Sequence, residues 1–335
     1  MTEISSLPLV SVVLGTYNGG VYLEEQLASL FAQTYPNIEI IAIDDGSTDN
    51  TVGILNEYAR RHPAMKVFVN ELNLGFVKNF ERGCMLSSGE LISLCDQDDQ
   101  WHPEKIAKMA EAIGDHPMIY CDSELCDSGL TYLGRHISDI VHFESFYDCR
   151  QLCVFSRMYG HATLIRRSLF LRSSPFLKEV PHDGWLAFHA TLYGGVKYLP
   201  DALVKYRQHE GNVFGVVGAK KKGSGSAEGG NQEEEVEKSK MEHARRKVEQ
   251  ARKKKENLKN VRIRVKAYYD ACPAELAVQK KTLLALVETY RDFSLVNDCR
   301  RVLLFLANRK LFLVVKRYAA WRKWLFCLKM FVKIK

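Results

Sequence analysis

The sequence predicts an α/β protein: a mostly parallel sheet flanked by helices, followed by a helical, basic C-terminal extension. Three observations lead there. Through residue 120, short apolar runs alternate with segments whose apolar residues recur at helical spacing. Three of the apolar runs end in clusters of Asp, Gly, Ser, Thr and Asn. Beyond residue 210 the composition turns to glycine and lysine, then to dense charge, then to basic and aromatic residues.

The elements follow in order. Leu9–Thr16 is an apolar run that ends in a turn, and Gly20–Phe31 reads as a helix. Ile38–Ile43 is a second buried strand and Val52–Arg61 a second helix. Met65–Val69, Phe76–Leu86 and Leu91–Cys95 read as strand, helix and strand. Pro103–Ile113 is a helix with proline near its first turn, and Met118–Cys121 another strand. From Arg157 to Gln208 the sequence reads as strand-poor and richer in Tyr, Trp and His. Residues 1–215 are expected to form the first domain, 216–232 a Gly/Lys-rich linker, and 233–270 a charged helix. Residues 271–335 complete the chain as a helical, basic-aromatic region, with Leu283–Leu313 apolar-striped.

Charge excludes one class of partner. The net charge of +7 is local: residues 299–335 carry eleven Lys or Arg and no acid, leaving 36 basic against 40 acidic residues elsewhere. A body with that balance lacks the basic face a nucleic-acid binder needs. The nine cysteines form no CxxC pair and have no zinc spacing, so reduced thiols and no metal role are expected. Met1–Pro8 has neither a basic start nor an apolar run, so no secretory signal is expected there.

The polar clusters carry the chemistry. They are Gly15-Thr16-Tyr17-Asn18-Gly19, Asp44-Asp45-Gly46-Ser47-Thr48-Asp49 and Asp96-Gln97-Asp98-Asp99. Each alone can be turn chemistry or a helix cap. Ligands in parallel sheets bind beyond the carboxyl ends of the strands, where all three clusters converge. Acids crowded at one sheet edge repel one another, and a cation with a polar ligand would relieve that repulsion. Asp96 and Asp98 supply hard oxygens suited to Mg²⁺ or Mn²⁺, and Asp45 could accept from a base imide or a ribose hydroxyl.

The segments Val10-Ser-Val-Val-Leu-Gly-Thr-Tyr-Asn18, Ile43-Asp-Asp-Gly-Ser-Thr-Asp49, Asn73-Leu-Gly-Phe76 and Cys95-Asp-Gln-Asp-Asp-Gln-Trp101 resemble family 2 glycosyltransferases of GT-A (Rossmann-like) fold. Asp-Gln-Asp-Asp before Trp101, His182-Asp183 before Trp185, and Tyr206-Arg-Gln-His209 with Asn212 resemble the bacterial rhamnosyltransferase-like branch. The resemblance spans roughly the first 215 residues. It implies an inverting transferase that uses a nucleoside-diphosphate sugar, with deoxythymidine-diphosphate-rhamnose or a uridine-diphosphate hexose as donor. It places Asp45 near the base, Asp96 near ribose and metal, Asp98 on the Mn²⁺ or Mg²⁺, and Asp183 as general base. Thr16, Tyr17 and Asn18 join the donor site, while Asp99 and His209 are further metal candidates. Many relatives have Glu-Asp where this chain has His182-Asp183, so only the aspartate carries over.

Lys78 could meet a phosphate or simply face water, and His161 and His189 read as structural histidines. Trp101 and Trp185 could stack on sugars or pack in the core. A nucleotidyltransferase would need basic phosphate ligands early in the chain, and Gly15–Gly20 has none. A non-catalytic scaffold should have lost an acid at the base or metal position, and none is missing. The tail mixes its basic residues with Phe305, Phe312, Tyr318, Trp321, Trp324, Phe326 and Phe331. No run in it is long enough to span a bilayer, so a position on the anionic inner face of the cell membrane is expected, beside a glycan or lipid-linked acceptor.

Overall fold

Valine and isoleucine runs with little polar between them make strands buried on both faces, and three of the four strands in the N-terminal half of the sheet are of this kind. The computed structural model describes residues 7–154, 158–209, 256, 259–292, 294–313 and 323–328. Strands β1 (Val10–Thr16), β2 (Ile38–Asp44), β3 (Met65–Val69) and β4 (Leu91–Cys95) lie in the order β3-β2-β1-β4. All three pairings among them are parallel. Helices α1 (Leu23–Phe31), α2 (Thr51–Arg61) and α3 (Phe76–Leu86) make the crossovers. Alternation sorts the strand residues between two cores: Val13, Ile41 and Ile43 face one side, Val12, Leu14 and Ala42 the other.

The second half is mixed. Strands β5 (Gln100–Trp101), β6 (Met118–Cys126), β7 (Tyr132–His136), β8 (Thr163–Arg166) and β9 (Val196–Arg207) extend the sheet as β4-β8-β6-β9-β5, with β7 on β6. Here β8 runs antiparallel to β4 and β6, while β6 and β9 are parallel. Four helices belong to this half: α4 (Lys105–Ala112), α5 (Ile137–Ile140), α6 (Arg167–Ser173) and α7 (His182–Leu192).

The sheet is wholly parallel in its first half and mixed in its second, and one expectation is corrected: the stretch read as strand-poor contains β8 and β9. Both strands hide for physical reasons: β8 has only four residues, and β9 carries Pro200 and Asp201 where its register against β6 shifts.

Among the described residues there follow α8 (residues 259–271), α9 (Ala277–Thr289), α10 (Leu295–Ala307), α11 (Arg309–Phe312) and a helical turn at residues 323–328. The expected helical stripe over Leu283–Leu313 is thus divided near Tyr290, and the expected linker at 216–232 lies outside the described residues. These helices share the core of the sheet domain. Tyr268 stacks on Phe188 at 4.1 Å, and Leu283, Leu286, Phe305 and Phe312 join the cluster that contains Ile165, Phe170 and Leu186.

Close approach of α3 to the sheet depends on Gly83, where a Cβ would fall 2.4 Å from Val13 Cγ1 and 3.0 Å from Ile43 Cγ2. Gly83→Val should therefore overpack this contact and cost about 1–3 kcal/mol despite removing a helix glycine. Thermal unfolding checks this, with a fall in Tm of several degrees expected; an unchanged or raised Tm would contradict the packing.

Candidate active site

Parallel pairing aligns the carboxyl ends of β1, β2 and β4, with Thr16 opposite Asp44 and Leu14 opposite Cys95. The three polar clusters therefore leave the sheet side by side. Their side chains lace the loops together. Asp44 is spent on this lacing: it accepts from Thr16 Oγ1 at 2.9 Å, Ser47 Oγ at 2.5 Å and Ser47 N at 2.8 Å. Asn18, held at φ 48°, accepts from Thr48 N at 2.8 Å while its own N donates to Ser47 Oγ. Gln97 clasps the backbone of Tyr17, accepting from its N at 2.8 Å and donating to its O at 3.1 Å.

Asp45 faces the cleft these loops enclose, yet most of its carboxylate is engaged. Oδ1 accepts from Asn70 Nδ2 at 2.7 Å and Leu74 N at 2.8 Å, and Oδ2 from Gly75 N at 2.9 Å. A carboxylate has about four acceptor positions, so one remains. Gly75 opens α3 at φ +81°, a left-handed conformation that favours glycine.

The acid loop is the most charged part of the site. Asp99 is fully buried; Oδ1 accepts from Arg207 N at 3.1 Å, and Oδ2 has no hydrogen-bond partner. Burial pushes its carboxyl up to about 7. Asp98 is also pushed up, by burial and then by the charge of Asp96. Asp96 is pushed upward by burial, but hydrogen bonding and charge from His161 outweigh this and hold it below its ordinary value.

His161 lies beneath the loop, its Nδ1 at 3.7 Å from Asp96 and 3.5 Å from Asp99, its Nε2 3.1 Å from Ser123 Oγ. Burial lowers the imidazole's affinity for a proton, yet the two carboxylates more than compensate. Two further cations brace the loop. Buried Lys105 donates to His161 O at 2.6 Å and sits 3.0 Å above the Trp101 ring. Arg207 donates from Nε to Asp98 O at 2.7 Å and from its guanidinium to Glu25 and Ser128 O.

Across the cleft, α7 begins with His182 and Asp183. Burial pushes the Asp183 carboxyl up to about 7, with the Gly184 N–H donating to Oδ1 at 2.6 Å. His182 is buried with neither ring nitrogen hydrogen-bonded, and burial holds its pKa down to about 4. Phe80 packs on it at 4.5 Å.

One cleft of about 390 Å³ is thus lined by Thr16, Tyr17, Asp45, Asp96, Asp98 and Asp183. His161 and His182 line it as well. The remaining expected site residues lie elsewhere. Asn18 braces the first two loops, and Asp99 is under the acid loop. Lys78 is engaged with Glu81 at 2.6 Å, on α3. His209 reaches the rim, with Nε2 2.8 Å from Asp98 Oδ2.

Trp101 and Trp185 are both buried; Trp185 Nε1 donates to Ser173 O and its ring faces Tyr268 at 6.0 Å. His161, read from sequence as structural, is instead part of the acid cluster. Arg207 and Lys105 escaped sequence reasoning altogether. Arg207 had a signal, since it sits inside Tyr206-Arg-Gln-His209; Lys105 looks like any helix lysine.

Fold and site together define an α/β protein with an acid-lined ligand cleft at the carboxyl edge of its parallel strands. The sequence matches the domain described as Glycosyl transferase family 2 over residues 11–172. An uncharacterised glycosyltransferase of Haemophilus influenzae is 30% identical over 220 residues, 62% of this chain and 67% of that protein. An uncharacterised protein of Mycobacterium tuberculosis is 27% identical over 213 residues, and the chain spans 60% of its length.

The chain belongs to glycosyltransferase family 2. Among solved structures it resembles Staphylococcus aureus TarS 1–349 in complex with UDP-GlcNAc. The TM-score is 0.57 at 18% identity, over 97% of this chain and 81% of that one. It also resembles the mannosyltransferase PcManGT of Pyrobaculum calidifontis in complex with GDP-Man and Mn²⁺, with TM-score 0.54 at 16% identity over 99% and 87% of the two chains. These likenesses establish the GT-A architecture.

The described residues offer two donor sets for a divalent ion. Asp96, Asp99 and His161 can each present one ligand atom, all within 4.8 Å of one another. The orphaned Asp99 Oδ2 is a buried hard oxygen of the kind Mn²⁺ or Mg²⁺ takes. The second set, Asp98 and His209, stands at the rim, where water and phosphate can complete a coordination shell.

Asp99 and His161 of the inner set are buried, while the side chains of Asp98 and His209 are 16% and 17% exposed, so the rim pair is the more accessible. Titration of Mn²⁺ in the presence of donor nucleotide should show at least tenfold weaker binding in Asp98→Ala and His209→Gln. Asp99→Asn and His161→Gln should act mainly on Tm. The reverse pattern would assign the ion to the inner set.

Proposed function

We propose that this chain is an inverting glycosyltransferase. It moves a sugar from a nucleoside-diphosphate sugar to a hydroxyl of a glycan or lipid-linked acceptor in cell-surface polysaccharide synthesis. One observation carries the reading: a single cleft sets the acid loop against Asp183, a carboxyl whose affinity for protons burial has raised. A base with a pKa near the working pH is the group such a transfer needs. The UDP-GlcNAc and GDP-Man complexes of the two similar structures support a nucleoside-diphosphate sugar as the class of donor.

Among the described residues no Lys or Arg lines the cleft, so no lysine or arginine charge there would meet the donor's negative diphosphate. A divalent ion bound by the rim pair would supply Lewis-acid charge to the departing diphosphate. The protein's own residues do the rest. Tyr17, half exposed at the cleft wall, offers a ring face to the base, and the open acceptor position of Asp45 takes a base or ribose donor.

Asp183 accepts the proton of the acceptor hydroxyl. The freed electron pair forms the new bond to the anomeric carbon as the bond to the β-phosphate oxygen breaks, its pair leaving with that oxygen. Attack opposite the leaving group inverts the centre without a sugar–enzyme intermediate.

His182 adjoins the base and stays neutral, offering one donor and one acceptor to sugar hydroxyls. That favours an uncharged sugar, and a 6-deoxyhexose such as rhamnose or a plain hexose fits it better than a uronate. A donor panel containing deoxythymidine-diphosphate-rhamnose, uridine-diphosphate hexoses and GDP-mannose, scored by nucleoside diphosphate released with Mn²⁺, tests the activity. Pyrophosphate release from a nucleoside triphosphate and a sugar phosphate would make it a nucleotidyltransferase instead. Donor binding with no turnover toward any acceptor would make it a scaffold.

Asp183→Asn should leave donor affinity intact while transfer falls by about 10²–10⁴. Its stability has a definite sign. A carboxyl whose folded pKa is raised from 3.8 to about 7 costs the fold stability progressively as pH rises across that window. The asparagine variant should therefore melt higher than wild type at pH 8, with the advantage fading toward pH 4. Near-normal transfer, or a lower melting point at pH 8, would remove Asp183 from this role.

A further inference from the structure

Helix α10 is inside out. It buries Asn297, Asp298 and Arg301, while Leu295, Val296 and Leu303 stand 64%, 58% and 65% exposed. At 3.6 residues per turn Leu295, Val296, Cys299 and Leu303 fall on one outward stripe, and Arg300 borders it.

The orientation is locked from within. Arg301, with no exposed surface, pairs with Asp298 at 3.2 Å, donates to Thr289 O and lies 4.7 Å from the centre of the Tyr290 ring. Asn297 donates to Asp292 at 2.7 Å, and Phe305 fills the core on the same side, against Phe312. Turning the stripe inward would strip Arg301 of its buried partner, at a cost of several kcal/mol. The stripe therefore stays outside, as does the turn of helix at residues 323–328, which exposes Trp324, Leu325 and Leu328.

We propose that the outward face of α10, together with Trp324, Leu325 and Leu328, docks on an anionic phospholipid surface. Charge selects this occupant. Residues 299–335 carry eleven basic residues and no acid, and exposed Arg300 and Lys310 lie within α10 and α11. A second copy would bring the same unbalanced positive charge against itself. An anionic leaflet attracts it. Trp324 has the guanidinium of Arg309 5.6 Å from its ring centre, pairing an apolar body with a cation as interfacial residues do. Among the described residues no helix is long and apolar enough to cross a membrane.

This surface differs from the one the sequence suggested. Phe305, Phe312 and Leu313 belong to the core and are not available to lipid, and Tyr318, Trp321 and Phe331 lie outside the described residues. Cutting the chain at Asp298 would remove core residues, so point substitutions in the full chain are the sound test.

Full-length protein should co-sediment with phosphatidylserine–phosphatidylcholine vesicles at low salt, bind pure phosphatidylcholine at least tenfold less, and lose binding as salt rises. Leu295→Glu/Leu303→Glu, and the milder Leu295→Ser/Leu303→Ser, should weaken binding at least tenfold with Tm unchanged. Absence of binding to the anionic vesicles overturns the proposal, as does equal binding by wild type and variants. A dimer that either variant dissociates, with vesicle binding untouched, would assign the face to a second copy.

Discussion

Everything at the carboxyl edge of the sheet answers to one buried carboxylate. Asp99 has no exposed surface, so its charge must be met by the protein or neutralised by a proton. The fold meets it from several directions at once: Arg207 arrives from the last strand, His161 from the turn before β8, and Lys105 from the first turn of α4. Because these groups come from segments more than 100 residues apart in sequence at the extremes, the acid loop takes its shape only when the whole sheet has closed. Asp96 and Asp98 are then presented to the cleft on a rigid footing, and pre-positioning of this kind is what a charge-stabilising site requires.

The sequence carried the first half of this arrangement openly. Uninterrupted apolar strands and helical spacing marked β1 through β4, and the acids at their ends marked the edge where the site forms. The second half was hidden because its strands are short or irregular: β8 has four residues, and β9 bends through a proline and a shifted register. Site chemistry divided in the same way. Asp45, Asp96, Asp98 and Asp183 stood in recognisable motifs and line one cleft, whereas Asp44, beside Asp45, was given no part. Geometry supplies it: Asp44 laces the loops while Asp45 faces the cleft. His161 and Lys105 left no pattern at all, since their function lies in which acids they happen to lie under.

The C-terminal helices tie a second constraint to the first. Tyr268 on α8 stacks on Phe188 and faces Trp185, both on the helix that opens with Asp183, and its hydroxyl reaches Gly184 O at 3.5 Å. Asp183 is therefore held by a helix whose other face is packed by residues far downstream. Charge distribution follows the same division of labour: the acids gather at the cleft and the excess basic residues lie after Asp298.

That separation has a physical consequence for the cleft itself. With Asp45, Asp96, Asp98 and Asp183 on its walls and no Lys or Arg lining it among the described residues, the cleft repels an anionic ligand that arrives alone. His182 cannot offset this, because burial holds its imidazole in the neutral form, and His161 Nδ1 already lies between two carboxylates. In the proposed transfer a negative diphosphate would lie here in company with positive charge, which would couple entry of the donor to entry of a cation. The same repulsion raises the proton affinity of Asp183, where burial leads and the charge of Asp96 adds to it. A cation bound at the rim would relieve that pressure and ease Asp183 toward the ionised form in which it can accept a proton.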